Sequence, residues 1–281
     1  MTAPLTIRLD YTGISRAGRI QPTIAVLTQY CDRWQKLDLC IPESMVSRLD
    51  SIRDRLPWLK TLRIQNPTES RSWSHELSIF EFAPQLCHLS LGCGISHTRL
   101  KIPWHQLIWL EAHVNDTDEC LGTLQLVPNL IKCRVCRKSD VQFPKASIPS
   151  QNISILSFPH LRFFRVLHLP CLDKIFKHLE LPNIHALHVA GENKQAKDAW
   201  FSRQPFISFL SHSSHTLRKL EIDCLRACED SAHIVRCLRA TPSLTELHMF
   251  ARVRRLGHRR SPLSSYSPAK RRSVSPRFSG T

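Results

Sequence analysis

The sequence predicts an α/β solenoid: a right-handed, curved stack of about 9–10 parallel strands backed by helices over residues 1–251, followed by a basic tail, 252–281. Three observations predict it. A short apolar phrase recurs along the chain: a large apolar residue, two variable residues, an apolar residue, one variable residue, another apolar residue. In six of nine copies proline stands two residues before the phrase. Between copies the apolar residues switch to helical spacing.

The copies run in order. Leu5, Ile7 and Leu9 make a degenerate first strand. Trp34-Leu37-Leu39 is the first full phrase, with an aromatic in the leading place. Leu59-Leu62-Ile64, Leu86-Leu89-Leu91, Leu107-Leu110-Ala112 and Leu130-Cys133-Val135 follow. Leu161-Phe164-Val166, Ile184-Leu187-Val189, Leu217-Leu220-Ile222 and Leu244-Leu247-Met249 complete the series. First positions are 21 to 33 residues apart, around the spacing of leucine-rich repeats. Pro57, Pro84, Pro128, Pro159, Pro182 and Pro242 lead six of them, each stopping what precedes and letting an extended segment begin.

Residues 43–56 set Met45, Val46, Leu49, Ile52 and Leu56 on one helical face. Asp116 to Glu119 has capping-box spacing and opens a helix with Cys120, Leu121, Leu124 and Leu126 as its apolar side. Shorter helices are expected near 171–180, 204–213 and 228–240. A unit of this kind cannot bury its apolar edge alone, so the units stack.

Composition narrows the function. Of the formal charge of +16, nine basic side chains and no acid lie in 252–277, so the repeat body is only mildly basic. No apolar run reaches spanning length and the N-terminus has no signal-peptide core, so a cytoplasmic or nuclear protein is expected. Cysteines such as Cys87, Cys133, Cys171 and Cys224 fall in apolar patterns and are expected to be reduced and mostly buried. Cys133 and Cys136 have metal-ligand spacing, yet strand alternation sends them to opposite sides and no second pair stands at finger distance. No phosphate loop, nucleophile elbow or His-Glu-x-x-His helix occurs, so neither an enzyme nor a cofactor or metal site is expected.

The third and fifth positions of each phrase face away from the core, because strand side chains alternate. Arg63, Trp109, Lys132, Arg134, Phe163, Arg165 and His188 are the candidates there. Aromatics beside arginines have the composition of binding hot spots and suit an acidic protein partner. The competing reading is a solvated sheet face with Trp109 and Phe163 covered by a loop. In the tail, expected to be disordered, Lys270, Arg271 and Arg272 read as a nuclear-localisation signal or nucleic-acid contact. Ser261, Ser267 and Ser275 precede prolines and are phosphorylation candidates.

The phrases Arg33-Trp34-Gln-Lys-Leu-Asp-Leu39, Leu56-Pro-Trp-Leu-Lys-Thr-Leu-Arg-Ile64, Ala83-Pro-Gln-Leu-Cys-His-Leu-Ser-Leu91 and Ile102-Pro-Trp-His-Gln-Leu-Ile-Trp-Leu110 resemble the leucine-rich-repeat region of fungal F-box proteins, over about residues 4–250. The resemblance implies the substrate-recognition half of a cullin ubiquitin-ligase receptor, holding a protein on the concave strand face. It implies a Skp1-type adaptor as partner only if the full gene product carries an N-terminal F-box, which does not precede Leu5 here. The asparagine-ladder position typical of regular repeats is filled only by Asn115, from which irregular curvature is expected. A monomer is the expected state, and a nucleic-acid-associated protein using the tail and the Arg/Lys strip is the alternative.

Overall fold

The computed structural model describes residues 3–11, 21–67, 73–137, 154–191, 204–224 and 231–251. Their strands are β1 (Leu5–Asp10), β2 (Trp34–Cys40), β3 (Thr61–Gln65), β4 (His88–Leu91), β5 (Trp109–Val114) and β6 (Lys132–Arg137). β7 (Leu156–Ser157), β8 (Phe163–Leu169), β9 (Leu179–Glu180), β10 (Ala186–Gly191), β11 (Lys219–Cys224) and β12 (Glu246–Ala251) follow. The α-helices are α1 (Gln21–Thr28), α2 (Thr117–Gln125), α3 (Leu172–His178), α4 (Gln204–His212) and α5 (Ser231–Ala240). All nine full phrases and the degenerate first one became strands. The parallel pair β7 and β9 was not foreseen.

Ten strands form one sheet in the order β1-β2-β3-β4-β5-β6-β8-β10-β11-β12, and every neighbouring pair is parallel. Each unit therefore adds one strand to the edge left by the unit before it. The register repeats without slip at the phrase positions: Leu37, Leu62, Leu89, Leu110, Cys133, Phe164, Leu187, Leu220 and Leu247 lie side by side. In the first eight full units the first, fourth and sixth residues are all buried. In the last unit Leu244, Leu247 and Met249 are only half-buried, because β12 has no further strand beside it among the described residues.

The back layer is mixed. Residues Glu43–Ile52 form a 3₁₀-helix rather than the expected α-helix, burying Met45, Leu49 and Ile52. A 3₁₀ rise of about 2.0 Å per residue against 1.5 Å lets a short segment cover more of the sheet's back. α2 carries the expected N-cap bond, the Asp116 side chain accepting from Glu119 N at 2.9 Å, but Glu119 Oε2 reaches one residue beyond the cap and accepts from Asn115 N at 2.7 Å. Leu126, assigned to its apolar side, instead lies just past the helix end and is exposed. α3 packs on α4 and α4 on α5, with Phe176 ring centroids 4.8 Å from Phe206 and 5.1 Å from Phe209. Between β3 and β5 no α-helix occurs among the described residues; Trp73, Ile79 and Phe80 plug the core from irregular chain.

A side-chain ladder ties the units together at their N-terminal turns. Gln106 donates to the Ala83 carbonyl at 2.7 Å and Asn129 to that of His105 at 2.7 Å. Asn183 donates to Pro159 at 2.8 Å and Thr216 to Pro182 at 2.8 Å. In all four it is the residue between the proline, or its equivalent, and the first apolar position that reaches back one unit. Asn115, the expected ladder residue, takes no part: its backbone N–H serves the α2 cap and its side-chain oxygen is buried without a partner.

The nine described cysteines are all free. Cys133 is buried as expected, but Cys87 is half-buried and Cys171 exposed, the latter in the left-handed region at φ 53° where the chain turns into α3. The Cys224 side chain lies outside the described set. No helix among the described residues is long and apolar enough to cross a membrane.

Candidate functional site

The third and fifth phrase positions form two unbroken rows on the sheet face opposite the helices. The first row reads Lys36, Thr61, His88, Trp109, Lys132, Phe163, Ala186, Lys219, Glu246. The second reads Asp38, Arg63, Ser90, Glu111, Arg134, Arg165, His188, Glu221, His248. Parallel pairing in phase is what converts a spacing of 21 to 33 residues into neighbours about 4.8 Å apart.

Six of the seven candidates come together on β5, β6, β8 and β10. Trp109 and Phe163 are half-buried, and Lys132 between them is exposed. The His88 and Trp109 rings lie 6.1 Å apart at 50°, and Lys132 Nζ stands 5.1 Å from the Phe163 ring centroid, within cation–π range. Below them, Arg134 meets Glu111 at 3.1 Å. Arg165 sits between Arg134 and His188. Arg63 stands apart on β3, two strands from Trp109, and is occupied: Asp38 lies 4.0 Å away and the Gln65 amide oxygen accepts from its guanidinium.

The electrostatics differ along the rows. His188 Nδ1 is 2.9 Å from Glu221 Oε2, which places the ring proton of the neutral form on Nδ1 and leaves Nε2 as an acceptor. Burial, then the neighbouring Arg165 guanidinium, pushes the His188 pKa below its usual value against the pull of Glu221. Glu221 also gathers Lys219 at 3.1 Å and His248 at 3.6 Å. Burial works against its charge, but the Lys219 hydrogen bond and the His188 ring outweigh it and hold the carboxyl below the ordinary range. The sequence reading passed over Glu111 and Glu221 as site residues, although their places in the fifth-position series identify them as the natural neutralisers of Arg134 and of the His188 end.

Beyond the second row, Cys136, Leu167 and Ala190 make a small buried cluster separate from the main core, so Cys133 and Cys136 do lie on opposite faces. Burial raises the Cys136 thiol pKa, with Arg134 opposing. Here β8 carries a bulge: Gly191 pairs with Leu169, skipping His168, whose φ is 59°. No cluster of three or more His, Cys, Asp or Glu with metal-holding geometry occurs among the described residues. Lys270, Arg271, Arg272, Ser261, Ser267 and Ser275 lie outside the described residues.

No family model matches the chain, and no curated protein does. Among solved structures, the chain is similar to the leucine-rich-repeat-containing protein LegL7 from Legionella pneumophila, at 14% identity over 88% of this chain and 82% of that one, with a TM-score of 0.41. With so distant a likeness, the reading of the site stands on this chain's own residues.

Proposed function

We propose that the chain is a protein-interaction scaffold, a curved leucine-rich-repeat stack that holds a protein partner on its strand face and performs no chemistry itself. One observation carries this reading. Parallel pairing in phase gathers Trp109, Lys132, Phe163, Arg134 and Arg165, scattered over 57 residues of sequence, onto three adjacent strands of a face that no helix among the described residues occupies. Half-buried aromatics ringed by guanidinium groups are the residue types that dominate interface energies.

The finer reading, the substrate-recognition repeats of a fungal F-box receptor in a cullin ubiquitin ligase, is supported by the sequence phrases alone. It places the protein in the cytoplasm or nucleus, and it brings in a Skp1-type adaptor if the full gene product carries an F-box. The nucleic-acid alternative finds less support on this face. The two rows hold six Lys or Arg but also four Asp or Glu, whereas a phosphate track favours uncompensated cations.

The test is site-specific photo-crosslinking in cells, with a benzoylphenylalanine at Trp109 on the strand face or at the exposed Lys177 on α3. Discrete protein adducts should form from position 109 and not from 177. Adducts from 177 alone, or none from 109, would sink the proposal.

A further inference from the structure

Charge pairing across the strand face singles out one guanidinium. Arg8 and Arg63 flank Asp38 at 3.9 and 4.0 Å, and Arg134 meets Glu111 at 3.1 Å. Arg165 has no carboxylate partner among the described residues. Its Nε is buried and unpartnered, as is that of Arg134, but only Arg165 also lacks a carboxylate, and in-register Arg134 and His188 stand on the two neighbouring strands. His188 does not relieve that Nε, and its own Nδ1 faces Glu221. Lys132, over the Phe163 ring, likewise has no carboxylate partner among the described residues. Phe163 precedes Arg165 by two residues on β8, so the two side chains share a face.

This leaves a narrow positive window. Glu111 and Glu221 lie in the same row as Arg165, each two strands away, or about 10 Å at ordinary strand spacing. A polyanion laid across the strands would meet those carboxylates on both sides. One carboxylate set down in the middle would meet Arg165 and Lys132 and neither glutamate.

Resting on the scaffold reading above, we propose that Arg165 selects the partner, and that it selects an acidic peptide segment. A single Asp or Glu side chain seats on the Arg165 guanidinium, and its apolar neighbour packs on Phe163. The planar guanidinium fork donates two parallel hydrogen bonds to a carboxylate, which a lysine cannot reproduce. The like-charged neighbour Arg134 is a liability of the free protein that an incoming carboxylate relieves.

Fluorescence anisotropy on the full chain tests this with three labelled probes. The first is a peptide pool with a central Asp or Glu beside Leu or Phe; the second is the same pool with Asn or Gln at that position; the third is an oligothymidylate. The wild type should prefer the acidic pool over the amide pool by about tenfold or more, the scale of one charge-assisted hydrogen-bonded contact. Arg165→Gln should abolish the preference, Arg165→Lys should keep only part of it, and Arg63→Gln should keep it all. Thermal melts of each variant check folding, and Arg165→Lys carries the test if Arg165→Gln does not fold. Equal binding of acidic and amide pools, or equal losses in Arg63→Gln and Arg165→Gln, would overturn the selection by Arg165 while leaving a scaffold in place. Tighter binding of the oligothymidylate than of either pool would overturn the acidic-peptide assignment. Binding of no probe by the folded wild type would overturn both this assignment and the scaffold reading.

Discussion

Leu110 and Leu247 occupy the same place in their repeats, but not in the stack. Leu110 is fully buried, with Leu89 and Cys133 in register on either side. Leu247 has Leu220 on one side, no strand on the other among the described residues, and is only partly buried. Truncating Leu110 to alanine removes three carbons' worth of transfer free energy, roughly 2.4 kcal/mol at about 0.8 kcal/mol each. The cavity left in a closed layer brings the total to about 3–4 kcal/mol. At Leu247 much of that surface is already wet and no cavity can close, so Leu247→Ala should cost about 1 kcal/mol. Against a total stability of order 5–15 kcal/mol, the first change is severe and the second mild. Urea unfolding followed by circular dichroism reads the difference. Hydrogen exchange at β5 and β12 checks whether the end unit opens separately, since repeat stacks can lose units without global unfolding. A Leu247→Ala loss as large as that of Leu110→Ala, or a Leu110→Ala loss below about 1 kcal/mol, would refute a closed core with an open last unit.

Two further predictions follow from the turns and the back layer. Asn129→Ala should lose about 1 kcal/mol with the bond to the His105 carbonyl, and isosteric Asn129→Asp should lose at least as much by turning an acceptor onto an acceptor; a harmless Asn129→Asp in urea titration would remove the ladder assignment. His97 is held below its usual pKa of 6.5 by burial, with Glu119 opposing; the unfolded chain therefore takes the proton first, and stability should decline as pH falls through 6.5 towards the lower folded value. His97→Gln should flatten part of that decline between pH 8 and 5, the remainder belonging to groups such as His188. Parallel pH profiles for the two proteins would show that His97 titrates alike in both states.

Much of the strand architecture is legible in the sequence because period two is unforgiving. A one-residue slip would have turned Leu110 outward and Trp109 inward, so the phrase sets the facing of its variable residues without any knowledge of the fold. The segment between β3 and β5 was not legible: Trp73, Ile79 and Phe80 are buried from irregular chain, and no period announces that. The inter-unit ladder was missed for a different reason. Gln106, Asn129, Asn183 and Thr216 are different residues doing one job, so no single residue type recurs; only the shared place just before the first apolar position marks them. Leu126 was misplaced because α2 ends at Gln125, and apolar spacing does not say where a helix stops.

The candidate site was half legible for the same physical reason. The fifth-position series Asp38, Arg63, Ser90, Glu111, Arg134, Arg165, His188, Glu221 can be written from the phrases, yet its charges read as a list until the register makes them neighbours. Once paired, Arg63 and Arg134 each have a carboxylate within the molecule, so their charge is already matched. Stacking fixes the first, fourth and sixth positions, so the third and fifth are where a repeat protein of this kind is free to differ along its length. Most of that freedom is spent here on internal neutralisation across strands. What a partner can read is the remainder, and on β6 and β8 the remainder is Lys132, Phe163 and Arg165: one ring and two cations with no carboxylate among the described residues, between glutamates that bar a longer anion.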